Sequence, residues 1–301
     1  MSVNFITFGE AQFQCQKRHP GVDADILQNF INERYRRIAR RIPWQSMKIQ
    51  DVIATVAEYT TGTVSVALGS DAIVGTGTIW TSAMSGRSIR FGNDDAYYEF
   101  TYESSGVGSL DRDYEGTSDT DVTYSIWKNV FALASDCRDL LSIRSMSGGR
   151  DLDQVSMEEL DEMDPKRTLT GNPIRYALHM DDRSTPRNQQ VEVHPIPTEV
   201  TALPYWYIQD PTLFDVADTS SYFHPWLNPD VLYSGVAADV LLREKDYAGA
   251  TLCEQKFSIG MNEMLANECA RMPGVQIQMA ERFNRHRTNR GVSRTFPFEL
   301  P

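Results

Sequence analysis

The most constraining feature of the sequence is Asn228–Pro273, a segment that predicts two consecutive helices. Its first three residues form a helix start, because Asn can cap a helix, Pro suits the first helical position and Asp favours the positive end of the dipole. Apolar residues recur at helical spacing on both sides of a break marked by Arg243–Asp246 and Gly249, and Met272-Pro273-Gly274 ends the pattern. Each helix therefore has one apolar and one polar face, and each needs a partner to pack against.

Another helix is predicted near the N-terminal end, where Asp23 is a candidate cap and Pro43 ends the helical pattern. This helix is the candidate partner of the C-terminal pair. Residues 1–19 show no strong period and are expected to lie along another part of the protein. The apolar stripe of the helix consists of Leu27, Phe30, Ile31, Tyr35, Ile38 and Ile42.

Arginines occupy the side of this helix next to the apolar stripe, at positions 34, 36, 37, 40 and 41. Such a face could meet an acidic partner or phosphate, or it could simply be solvated. The acidic body of the protein, described below, favours a protein partner over DNA. Arg34, Arg37 and Arg41 are therefore a secondary interface candidate.

From Thr55 the pattern changes to a period of two, which is typical of strands. Short alternating segments are separated by turns such as Gly69-Ser70-Asp71 and Gly92–Asp95, and this spacing predicts an antiparallel sandwich or barrel over residues 55–132. Gly75–Thr78 superficially resembles a phosphate-binding loop, but it lacks the Lys-Ser/Thr pair and a following helix pattern. A strand bend or bulge is the better interpretation.

A second, smaller β region is predicted between residues 133 and 227. Ser156 starts a short helix with a capping box, and the consecutive acids Glu158–Asp164 are interpreted as a solvated face. The strand candidates of this region are Leu140–Met146, Tyr176–Met180, Gln190–His194 and Leu203–Gln209.

Together these elements predict an α+β fold. A helical bundle formed by the N- and C-terminal helices would carry an inserted antiparallel β sandwich or barrel and a second small β region. The expected division is an N-terminal helical part (1–54), the β insertion (55–132), a linker with a short helix and antiparallel strands (133–227), the C-terminal helix pair packed on the N-terminal helix (228–273) and an Arg-rich docking tail (274–301).

The net charge of −12 is unevenly distributed. Residues 51–270 carry −20, whereas residues 1–50 and 271–301 carry +4 each. An acidic body argues against a nucleic-acid-binding protein, and basic ends suit contact with the acidic surface of another copy, although ordinary solvated charge explains the same pattern. The candidate partner-docking residues of the tail are Arg282, Arg285, Arg287, Arg290, Arg294, Phe296 and Phe298.

Neither a catalytic nor a metal site is predicted. The five histidines lack metal-ligand spacing, although His179 and His194 could meet across paired strands, and the four separated cysteines are expected to be buried thiols. Without a nucleophile motif we expect no enzyme and no cofactor. The sequence shows neither a signal-peptide pattern nor an apolar run of about 18 residues, which predicts a protein made in the cytoplasm without membrane contact.

Several short motifs follow one another in a recognisable order. Arg40–Trp44 ends the first helix, Gly62–Val66 and Val74–Trp80 mark the β module, and Met157–Pro165 and Pro195-Ile196-Pro197 precede the C-terminal helix pair. This order resembles the head-to-tail adaptor (connector) proteins of tailed bacteriophages, including the versions with an inserted β domain.

The resemblance implies a structural virion protein at the head-tail junction. Twelve copies would form a ring below the portal protein, continue the DNA channel and carry tail or nozzle proteins, with the C-terminal tail docked on the portal. DNA would pass without sequence-specific binding, and a negative lumen would let it slide. Two alternatives stay open: a tail-side stopper or completion protein, and a receptor- or glycan-binding tail fibre component. The fibre alternative would rely on aromatic residues of the β module, Trp80, Tyr97, Tyr98 and Trp127.

Overall fold

The computed structural model describes residues 6–92, 94–146, 148–179, 188–215, 217 and 219–271. The fold is mixed α+β, as predicted. Two compact units divide the chain: a helical unit, Met1–Met47 with Asp210–Pro301, and a β unit, Lys48–Gln209. The helices of the described residues are α1 (Phe8–Arg18), α2 (Ala24–Ala39), α3 (Met157–Met163), α4 (Pro229–Arg243) and α5 (Tyr247–Arg271).

Strands make up most of the β unit, where they form three sheets. In chain order they are β1 (Lys48–Ala54), β2 (Thr63–Val66), β3 (Ala72–Thr76), β4 (Arg87–Phe91), β5 (Tyr97–Ser104), β6 (Val107–Leu110), β7 (Asp119–Val122), β8 (Tyr124–Trp127), β9 (Val130–Ala132), β10 (Cys137–Ser145), β11 (Arg150–Asp151), β12 (Asp153–Val155), β13 (Arg175–His179), β14 (Gln190–His194) and β15 (Ala202–Gln209).

Residues 1–19, for which the sequence shows no strong period, contain helix α1. Thr7 caps it reciprocally with Glu10: the Thr7 hydroxyl oxygen accepts from the Glu10 N–H, and the Glu10 carboxylate accepts from the Thr7 N–H, both at 3.1 Å. The buried residues Phe8, Ala11 and Cys15 do lie at helical spacing, but the exposed Phe13 between them interrupts the apolar pattern. The helix packs on α2 and α4.

Helix α2 begins directly after Asp23, as predicted, although the Asp23 side chain makes no capping hydrogen bond. It ends at Ala39 and not at Ile42. The Trp44 indole N–H donates to the carbonyl of Ile38 at 3.1 Å and thereby satisfies one of the carbonyls that a helix end leaves open. The apolar stripe of α2 contacts α4. The predicted bundle of N- and C-terminal helices as a whole stays a prediction.

Helices α4 and α5 confirm the predicted pair and its break. The Asn228 side chain accepts from the Asp230 N–H at 3.0 Å at the start of α4, and Lys245, with a φ of 66°, lies in the turn between the helices. The prediction of one polar face is wrong for α4. Buried residues cover more than half of its circumference, because α1, α2 and α5 all contact it.

The largest sheet confirms the predicted antiparallel β module. Its seven strands have the order β7-β2-β3-β6-β5-β4-β8. The two end strands are consecutive in the chain, with only Thr123 between them, so the sheet curls back on itself. Strand β3 ends at Thr76, and Gly77 follows with a φ of 70°, which agrees with the predicted strand bend.

The other two sheets each have four strands, in the orders β1-β15-β10-β11 and β12-β13-β14-β9. Side chains of both sheets share one hydrophobic core, which includes Ile143, Val191 and Leu203. The predicted strand Leu203–Gln209 is confirmed as β15, but it pairs with β10 and with β1, which the sequence did not predict. The Ser156 hydroxyl caps α3, accepting from the Glu159 N–H at 3.2 Å, which is one of the two hydrogen bonds of the predicted capping box.

Candidate interaction surfaces

Arg34, one of the three interface candidates on α2, is buried inside the helical unit. Its guanidinium binds Asp239 of α4 through two hydrogen bonds of 2.6 Å and forms an ion pair with Glu254 of α5 at 2.7 Å. Burial alone would lower the pKa of Arg34, but the bonds and charges of the two carboxylates raise it above its ordinary value. The placement of Arg34 on a polar outer face is therefore wrong: it joins three helices of one chain.

Glycine makes this close packing of the three helices possible. A Cβ on Gly235 of α4 would lie 2.9 Å from both the Arg34 side chain and the ring of Phe257 on α5. The Arg34 guanidinium also lies over that ring, 4.9 Å from its centroid. Any larger residue at position 235 would push these groups apart.

Arg37 and Arg41 remain at the surface. Arg37 is exposed and lies 3.5 Å from the Glu254 carboxylate, and its neighbour Arg40 binds Asp210 through two hydrogen bonds of 3.1 and 2.8 Å. Arg41 is exposed, and within the described part of the chain it forms no ion pair. Arg41 is thus the candidate whose charge is most available to a partner. The tail candidates Arg282, Arg285, Arg287, Arg290, Arg294, Phe296 and Phe298 lie outside the described residues.

Helix α5 has one face on α4 and a second, exposed face. The buried face includes Phe257, Met261 and Met264. On the opposite side, exposed residues recur at alternating spacings of four and three, and none of them is charged. We call this row the α5 seam: Ala248, Leu252, Gln255, Ile259, Asn262 and Ala266.

Aromatic rings form a continuous stack in the helical unit. Trp44 and Trp226 lie parallel with ring centroids 4.5 Å apart, Trp226 stacks on Tyr35 at 5.8 Å, and Tyr35 contacts Phe223 edge-on. A cavity of about 590 Å³ lies beside the stack, lined by residues 222–225. Burial lowers the pKa of His224 in this lining. The sequence does not predict this stack, because its aromatic residues come from two segments of the chain that are far apart.

A second buried arginine, Arg167, holds the loop after α3 in the β unit. It donates to Glu192 of β14, to the Asp161 carboxylate and to the Asp164 carbonyl, each at 2.6 Å. Asn129 also donates to Glu192, at 2.9 Å. Burial alone would lower the pKa of Arg167, but its bonds to the two carboxylates raise it.

The predicted solvated acidic face of α3 is wrong at its last member, Asp164, which is buried. Its carboxylate accepts two hydrogen bonds from Thr168 and one from the Leu169 N–H. Burial tends to raise the pKa of Asp164, but these bonds hold it below its ordinary value.

The two histidines that could meet across paired strands do not do so. In the register of β13 and β14, His194 lies opposite Arg175 and His179 lies opposite Gln190, at opposite ends of the pair. Among the described residues no group of three or more His, Cys, Asp or Glu is placed to hold a metal ion. No described helix is both long and apolar enough to cross a membrane.

The aromatic residues on which the fibre alternative depends are mostly internal. Trp80, Tyr98 and Trp127 are buried, and Tyr97 alone of the four is exposed. Trp80 donates to the Tyr124 hydroxyl at 2.9 Å within the core of the curled sheet. Three of the four rings are therefore not available at the surface of the described β module.

The described residues therefore offer exposed helix and sheet surfaces and two buried ion-pair networks. A family model described as SU10 adaptor protein matches residues 107–280, more than half of the chain. The chain belongs to the SU10 adaptor protein family, so the resemblance to phage adaptors is confirmed at that level. A search of curated proteins finds no match.

Proposed function

We propose that this chain is an adaptor that joins the portal vertex of a phage capsid to the tail. Neighbouring copies form a ring, with twelve the number that the resemblance implies, and the ring continues the DNA channel. The observation that carries the proposal is the family match, which runs from β6 through α4 and α5 and so includes parts of both units of the fold.

In this proposal the helices are the scaffold of each subunit. The N-terminal helix and the C-terminal pair act as a bundle, which the Arg34 ion pairs to Asp239 and Glu254 support by linking α2, α4 and α5. The curled sheet then serves as a module for contact with tail proteins. The chain divides functionally at the borders predicted from its sequence, with residues 274–301 as the docking tail.

The charge distribution supports a passive DNA channel. Residues 51–270 carry −20, and a lumen lined by such acids would repel phosphate and prevent DNA from adhering during passage. The basic ends then remain for protein contacts. A ring whose lumen proved strongly basic would contradict this part of the proposal.

The direct test is binding to the portal protein of the same phage. We expect the full chain to co-purify with assembled portal and to be seen as a ring beneath it by electron microscopy. A chain that joins only preassembled tails would instead be a tail-side stopper. A trimer that binds host cells and ignores the portal would be a fibre component.

The tail has its own test, truncation after Met272. We expect the shortened chain to stay folded and to lose portal binding, because the Arg and Phe candidates of the tail are removed. Replacing only Arg282, Arg285 and Arg287 by Gln should weaken binding and reduce its salt dependence. Normal portal attachment of the truncated chain would contradict this role of the tail.

A further inference from the structure

The α5 seam differs from an ordinary solvent-facing helix surface. On α2, three of the four exposed positions carry charges, namely Asp25, Glu33 and Arg37. On the seam, Leu252 and Ile259 are 54% and 61% exposed, and the other four seam residues are uncharged, although Glu254 and Lys256 lie on other sides of the same helix. A helix that is apolar or neutral on two opposite faces is typical of one that is covered on both.

The spacing of the seam residues indicates which kind of secondary structure could pack on them. Alternating steps of four and three residues form the contact row of two helices that pack at a shallow angle. Ala248 and Ala266 are small enough to let a second helix come close. The amides of Gln255 and Asn262 can hydrogen-bond across such a contact and fix its register.

We propose that the α5 seam binds a helix of a second copy of this chain, as the contact between neighbouring subunits. This inference rests on the ring proposed above and names the surface that builds it. The charges support a second copy as the occupant. Two chains that each carry −12 repel one another, and a row without charge is where they can approach with the least repulsion.

Other occupants fit the seam less well. Nucleic acid needs cations, and the seam has none. The chain's own residues 272–301 are rich in Arg and would find no carboxylate there. In a ring of more than two copies the contact joins two different surfaces, so the seam meets another face of the next subunit and not its own copy.

The surface area of the seam shows how much of an interface between two subunits it could supply. A helix of 25 residues is about 37 Å long, and a face about 10 Å wide offers about 370 Å². Each partner in a stable interface contributes about 800 Å². The seam is therefore the centre of a larger contact, which Leu242 and Tyr247, both exposed beside the start of α5, can extend.

A photo-crosslinker tests the occupant directly. p-Benzoylphenylalanine is placed at position 255 of the full chain, and in a control at position 29 on the exposed side of α2. Each protein is irradiated alone and with the portal protein. We expect a covalent dimer of the chain from position 255, and much less from position 29. Crosslinks from position 255 only to portal, or none at all, would overturn the proposal.

A pair of charge variants tests the energetics. The double variant Leu252→Glu with Ile259→Glu lowers the net charge by two, and so does the control Lys256→Glu on the flank of the same helix. Glu is a good helix former and all three positions are exposed, so circular dichroism should show folded proteins. We expect self-association to fall about 100-fold in the double variant, since each unpaired carboxylate loses its water at the contact, and much less in the control. If the double variant and the Lys256→Glu control self-associate equally, the proposal that the α5 seam binds a second copy is wrong.

The two proposals can fail separately. If the chain binds portal but gives no dimer crosslink, the adaptor proposal stands and the seam proposal is wrong. If the chain crosslinks to itself through position 255 and never binds portal, the seam proposal stands and the adaptor proposal is wrong.

Discussion

The two units of this protein each contain a buried arginine, and the two are used differently. Arg34 joins three helices, and its carboxylate partners keep contact with water: the side chains of Asp239 and Glu254 are 22% and 37% exposed. Arg167 joins a loop to a strand, and its main partner, Glu192, is as deeply buried as Arg167 itself, both at 6%. The carboxylates around Arg34 can therefore be hydrated if the arginine is removed, whereas Glu192 beside Arg167 cannot.

This difference matters because the cost of breaking a buried ion pair is mostly the cost of the charge left behind. If Arg167 is removed, Glu192 remains in the core with Asn129 as its other hydrogen-bond donor. If Arg34 is removed, Asp239 and Glu254 can turn toward solvent. The comparison predicts a graded series of effects.

The largest effect is expected for Arg167→Met. The variant keeps most of the side-chain volume and leaves the Glu192 carboxylate buried, so the β unit should lose about 3–5 kcal/mol of stability. Hydrogen exchange followed by mass spectrometry measures this as faster exchange of the peptides that contain α3, β13 and β14. Adding Glu192→Gln should recover part of the loss, because the uncompensated charge is gone. A double variant no more stable than Arg167→Met would show that packing and not charge dominates.

A smaller effect is expected for Arg34→Met in the helical unit. Its partners can be hydrated, so the loss should be about 1–3 kcal/mol, with faster exchange in α2, α4 and the first half of α5. Arg40→Met is the matched control on the same helix. Arg40 and Asp210 form an exposed pair, so this change should cost about 0–1 kcal/mol. Equal losses of stability in Arg34→Met and Arg40→Met would contradict the inference that a buried ion pair costs more to break than an exposed one.

Much of the helical unit was predictable from sequence. The start and break of the C-terminal helices depend on local signals, such as Asn228-Pro229-Asp230, which act within one turn. The environment of Arg34 was not predictable from such signals. Its position next to an apolar stripe fits an exposed side as well as a buried one, and only the placement of Asp239 and Glu254, more than 200 residues away, decides between them.

The β unit shows the same limit. Alternation and turns predicted its hairpins, but they do not specify which distant strands pair. Strand β1 gave no clear alternation, and its position beside β15 depends on a partner about 150 residues later in the chain. The sequence predicts a solvated Asp164, because five of the seven residues before Pro165 are acidic. Its burial follows instead from hydrogen bonds to a loop whose shape the sequence does not specify.

A small effect of acid is expected in the loop after α3, which both Arg167 and Asp164 hold. The folded pKa of Asp164 lies below its ordinary value, so the stability that it contributes is fully present above about pH 3.9 and is lost as the pH falls through the folded pKa. Asp164→Asn should remove this part of the acid sensitivity at a cost of about 1 kcal/mol at neutral pH. Exchange of the loop after α3, compared between pH 5 and pH 3, measures it in both proteins. An identical acid response of the variant and the natural protein would show that Asp164 does not contribute to the acid sensitivity of the loop.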